Sequence, residues 1–113
     1  MEADLVKQLK IKSGIVRRIA REYESYEKEI KKDRERIAKL KDQGESDYTI
    51  KKQEEVLQET ISMLPNTRKR LGEALEDARN FMKENDTNQE LTSTEDWTQA
   101  EQHVATAQNL LAE

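Results

Sequence analysis

Cysteine is absent from the chain, which excludes a disulfide framework and thiolate chemistry. Proline occurs once and glycine three times in 113 residues, leaving few places for the backbone to break. The single histidine, His103, has no Ser or Cys motif around it and reads as a surface residue. There is no glycine-rich phosphate loop and no cluster with metal-ligand spacing. Neighbouring acids such as Glu54-Glu55 and Glu95-Asp96 point in different directions on a helix, so they do not form an acid–base dyad. These absences lead to the expectation of a protein that is not an enzyme and uses no cofactor and no metal. No apolar run approaches the roughly 20 residues of a membrane span. The stretch Met1–Lys12 lacks the apolar centre of a secretory signal, so the expected location is the cytoplasm, with no membrane partner.

Charge is what the sequence has in abundance. Charged residues make up 39% and apolar ones 34%, too few for a compact core but enough for helices that each bury a narrow stripe. Disorder is the rival reading of such polarity, and the regular spacing of the apolar residues argues against it. The net charge of −4 is unevenly placed: residues 1–21 hold six basic and two acidic side chains, whereas residues 84–113 hold seven acidic and no basic ones. An antiparallel fold that joins the two ends would partly neutralise both.

Alternating steps of four and three from Leu5 give Leu5, Leu9, Lys12, Val16, Ile19, Tyr23, Tyr26, Ile30, Asp33, Ile37 and Leu40. This heptad seam predicts a coiled-coil-like helix over about 5–42, roughly 55 Å long. Gly44 is suited to the left-handed residue that closes it, and Ser46, Asp47 and Thr49 are N-cap candidates for the next helix. A second seam of Ile50, Glu54, Leu57, Ile61, Leu64, Arg68, Leu71, Leu75, Ala78 and Met82 predicts a helix over 49–83, antiparallel to the first. Pro65 lies inside it in register, which predicts one helix kinked there. Residues 84–93 are polar and aperiodic, a loop. Thr92 and Glu95 have capping-box spacing, with Ser93 and Thr94 as alternative caps. Trp97, Ala100, Val104, Ala107 and Leu111, with Leu110 beside them, predict a short third helix over 94–111. The expected fold is all-α, a single domain over residues 1–113 that forms an elongated antiparallel three-helix bundle.

Lys7 to Arg21 form a basic stretch, but an apolar seam runs through it and the chain as a whole is acidic, so nucleic acid is not the expected partner. On pattern alone the chain is a helical interaction module. A structural coiled-coil dimerisation or spacer module is the alternative reading of the same pattern.

The segment Leu9-Lys10-Ile11-Lys12-Ser13-Gly14-Ile15-Val16-Arg17-Arg18 resembles the tubulin-folding cofactor A family, and the likeness continues at Ser25-Tyr26-Glu27-Lys28-Glu29. It resumes at Ile50-Lys51-Lys52-Gln53-Glu54 and at Val56-Leu57-Gln58-Glu59. The most specific part is Met63-Leu64-Pro65-Asn66 before Arg68-Lys69-Arg70-Leu71, similar to the family's hydrophobic-Pro-Asp/Asn run ahead of a basic pair and Leu. The resemblance spans residues 7–82. It implies a cytoplasmic, cytoskeleton-associated three-helix chaperone without nucleotide or metal, which captures and holds β-tubulin during folding and has other tubulin-folding cofactors as further partners. A large client without a cleft to enter must be gripped by exposed helix faces. Within the matched stretches the off-seam candidates are Lys10, Arg17, Arg18, Glu27, Lys51, Lys52, Gln58, Met63 and Arg70. The basic ones are favoured because tubulin is an acidic protein.

Overall fold

The two seams fold as two long helices. The computed structural model describes residues 2–113. It contains four helices, α1 Glu2–Asp42, α2 Asp47–Glu84, α3 Gln89–Thr92 and α4 Glu95–Leu111, and no strand among the described residues. α1 begins ahead of Leu5, because its first turn is polar and held electrostatically. Glu2 and Asp4 sit at the positive end of the helix dipole, and Asn88 Nδ2 donates to Glu2 Oε1 at 2.9 Å. An apolar period cannot register such a turn.

Gly44 closes α1 with φ +70°, the conformation a side chain disfavours. The Glu45 N–H donates to Leu40 C=O at 3.0 Å and the Gly44 N–H to Lys41 C=O at 3.1 Å, the two bonds of a Schellman ending. Of the three cap candidates for α2, Ser46 does the capping: its Oγ accepts from the Thr49 N–H at 3.2 Å, so α2 starts at Asp47 rather than Thr49. α2 then continues through Pro65 without ending. On either side of the proline, Thr60 Oγ1 donates to Val56 C=O at 3.3 Å and Thr67 Oγ1 to Met63 C=O at 3.0 Å.

Residues 84–93 are not the plain loop that their polarity suggests. Asn88 caps α3 by accepting from the Leu91 N–H at 3.3 Å, and Leu91 is fully buried with Leu9, Phe81, Trp97 and Ala100. A single apolar residue carries no periodicity, so its anchoring role appears only in three dimensions. The cap of α4 is Thr94 rather than Thr92: Thr94 Oγ1 accepts from the Trp97 N–H at 3.2 Å and donates to Leu91 C=O at 2.7 Å.

The chain packs as two units, residues up to Arg21 with Arg68–Glu113, and Glu22–Thr67. In the first, Leu9, Val16 and Ile19 of α1 and Leu71, Leu75 and Ala78 of α2 are buried as their seams predict. Ala100 and Ala107 of α4 are fully buried too, and their small size lets helices approach closely. Two polar seam residues find specific partners. Lys12 Nζ lies 2.8 Å from Asp77 Oδ2 and 5.9 Å from the Phe81 ring centre. Arg68 donates to the carbonyl of Leu111 at the end of α4.

The second unit is the hairpin around Gly44. Lys41 Nζ and Glu54 Oε1 bridge its two helices at 3.7 Å. Tyr23, Ile37 and Asp33 are buried, whereas Ile30, Leu57, Ile61 and Leu64 are half-buried. Asp33 Oδ1 accepts from Arg36 Nη1 at 3.3 Å, while its Oδ2 has no partner among the described residues. A buried oxygen left that way costs free energy.

Candidate functional site

The surface offers shallow grooves between helices and faces of exposed polar side chains. Within the second unit, Arg34, Ile37 and Lys41 of α1 face Lys51, Leu57 and Gln58 of α2 across a groove of about 770 Å³. Two of its three acids are ion-paired, Glu54 with Lys41 and Glu55 with Lys52, each at 3.7 Å, and the third is Glu59. A second groove of about 360 Å³ is lined by Tyr26, Glu29, Glu59, Thr60 and Met63. Among the described residues no group of His, Asp and Glu is placed to hold a metal ion. No helix there is long and apolar enough to cross a membrane.

The candidate partner-binding residues fall in both units. In the first, Lys10, Arg17 and Arg18 are exposed on α1, and Arg70 is half-buried on α2. Lys10 is 3.7 Å from Asp96 of α4, so the acidic final helix meets the basic start of the chain. In the second unit Lys51, Lys52, Gln58 and Met63 are exposed on α2, and Glu27 is half-buried on α1. Lys51 and Gln58 share the larger groove, being seven residues apart and so on one helix face. Lys52 lies over the Tyr48 ring at 5.5 Å. Among the exposed apolar residues Met63 is already a candidate, whereas seam reasoning passed over Val56. Val56 is 44% and Met63 48% exposed, and their seven-residue spacing puts both on one face of α2. An apolar residue one place off a seam was the available signal.

His103 lies at the surface and is half-buried there. Burial holds its pKa below the ordinary 6.5, and the nearby Arg17 and Arg21 guanidinium groups lower it further. The unfolded chain therefore binds the His103 proton more readily than the folded chain does. Stability is full above about pH 6.5 and falls as pH drops through that value toward the folded pKa. Replacement by Gln removes this contribution. The parent's thermal midpoint is expected to fall more than that of His103→Gln between about pH 7.5 and 5.5. Parallel declines in the two proteins would contradict the assignment.

The model of the family described as tubulin binding cofactor A matches residues 4–104. The rat protein tubulin-specific chaperone A is 44% identical over 77 residues, covering 68% of this chain and 71% of that protein. The crystal structure of tubulin folding cofactor A from Arabidopsis thaliana superposes with a TM-score of 0.85 at 33% identity, over 95% of this chain and 98% of the other. A solved structure described as a β-tubulin binding post-chaperonin cofactor superposes with a TM-score of 0.78 at 36% identity, over 94% of this chain and 99% of the other.

Proposed function

The chain belongs to the tubulin binding cofactor A family, and from that premise we propose that it is a tubulin-folding chaperone that captures β-tubulin during folding and assembly of the tubulin heterodimer. The family is one of tubulin-binding cofactors and not of enzymes. The observation that supports the β-tubulin step most directly is the 36% identity, over nearly the whole of both chains, to a protein described as a β-tubulin binding cofactor. The chain acts in the cytoplasm beside the cytoskeleton and meets other tubulin-folding cofactors when the client is handed on.

The grip comes from exposed helix faces. Lys10, Arg17 and Arg18 on α1 and Lys51, Lys52, Gln58 and Met63 on α2 present cationic, amide and thioether groups to solvent, while Glu27 and Arg70 are half-buried. Cations there accelerate encounter with an acidic client and select it. The test is gel filtration of the purified chain with purified β-tubulin. Co-elution supports the proposal. A tight homodimer with no β-tubulin in its peak would instead make the chain a coiled-coil dimerisation or spacer element.

We also infer that Pro65 bends α2, as part of an antiparallel three-helix arrangement. Proline cannot donate to the Ile61 carbonyl, and its ring crowds that turn. The Thr60 and Thr67 hydroxyls bonded back to the preceding turn favour the same bend. Residual dipolar couplings are expected to give different axis directions for the α2 segments before and after Pro65. A common axis would rule the bend out.

A further inference from the structure

On the first turns of α1, cations are answered by carboxylates from the helices beside it. Lys10 meets Asp96 of α4 at 3.7 Å, and Lys12 meets Asp77 of α2 at 2.8 Å. The Lys10–Asp96 pair also marks the register of α4 against α1. Seven residues on from that pair along each helix stand Arg17 and His103, and both Arg17 and Arg21 lie close enough to act electrostatically on the imidazole. A position where an acid would continue the pattern therefore holds a base. Arg17 and Arg21 are exposed, one helical turn apart and so on the same face. Among the described residues no carboxylate lies within ion-pairing distance of either one.

The rest of the surroundings supply no counter-charge. The charges acting on His103 both come from α1, and α2 contributes none. On α4 itself the residues one turn away, Gln99, Ala100, Thr106 and Ala107, are uncharged. Glu101, two places away, projects to a different face.

We propose that Arg17, Arg21 and His103 form a docking site for a short carboxylate-rich segment of the client protein. The partner's identity rests on the reading of the chain as a tubulin chaperone; the site's chemistry does not. Two guanidinium forks can each take a carboxylate bidentately, and a protonated imidazole adds a third donor. A long polyanion such as nucleic acid is disfavoured, because residues 84–113 carry seven acids and no lysine or arginine. A short acidic segment can sit on the cluster without running along that acidic helix. Acid strengthens the site, since protonating His103 adds a positive charge facing the ligand. By linkage, a bound carboxylate cluster makes His103 hold its proton to higher pH.

The single histidine is its own reporter. The imidazole proton resonances of the full chain are titrated against pH by NMR, alone and with an oligoglutamate peptide, and with a phosphoserine peptide of equal charge as comparison. Oligoglutamate is expected to move the His103 titration to higher pH and to bind at least about tenfold less tightly to Arg17→Gln/Arg21→Gln. The His103→Gln variant, with helicity unchanged by circular dichroism, is expected to keep part of the affinity and lose its rise at acid pH. A His103 titration unmoved by oligoglutamate, or moved only by the phosphoserine peptide, would overturn the proposal even if β-tubulin capture persists. Oligoglutamate binding without β-tubulin capture would leave the site standing and remove the chaperone reading.

Discussion

Ile19→Asp is expected to unfold the protein at ambient temperature or to lower its thermal midpoint steeply. Ile19 is 5% exposed, between Val16 at 0% and Ala20 at 3%. The substitution removes a buried aliphatic side chain, worth about 2–5 kcal/mol with its cavity. It also places a carboxylate among apolar groups, at a further cost of several kcal/mol unless the acid takes up a proton. Domain stabilities of about 5–15 kcal/mol leave little margin for such a loss. Lowering the pH is expected to restore part of the stability, since the neutral acid is cheaper to bury. Ile11→Asp serves as the control: Ile11 is 53% exposed, and a surface change of this kind is worth about 0.5 kcal/mol or less. Thermal melts followed by circular dichroism decide the matter. Equal midpoints for the two variants would place Ile19 outside the core.

The largest expected effect on binding comes from reversing Arg17, Arg18, Lys51 and Lys52 to Glu together. All four are exposed, so helicity is expected to survive. Among the described residues the ion pair lost is Lys52 with Glu55 at 3.7 Å, a surface pair worth under about 1 kcal/mol. Affinity for β-tubulin is expected to fall roughly a hundredfold at low salt, and less at high salt where the charges are screened. Arg17 and Arg18 lie in one packing unit and Lys51 and Lys52 in the other, so the two double reversals report separately on each face. A folded quadruple variant that captures β-tubulin as well as the parent would move the grip to the apolar surface, with Val56 and Met63 first in line.

The seams were the legible part of the fold. Leu9, Val16, Ile19, Leu71 and Leu75 recur at heptad spacing, and each is buried. Legibility fails where one residue acts alone. Leu91 sits in a polar stretch with no apolar neighbour at helical spacing, yet it is fully buried. Beside the seam the period is only approximate: Phe81 and Leu110 are buried, while the seam members Met82 and Leu111 are half-buried. Neither α3 nor its Asn88 cap could be read, because four residues are too few to show a period. The candidate surface was legible only as residue types off the seam. The Arg17 and Arg21 charges beside His103 could not be read, because a single sequence does not disclose pairing between distant segments.

Charged, exposed helix faces are proposed to hold β-tubulin. The equilibrium affinity of the unmodified chain for purified β-tubulin, measured at low and at high salt, tests this proposal most directly. The expected result is a stoichiometric complex whose affinity falls as salt rises. No complex at either salt, or an affinity indifferent to salt, would contradict the account.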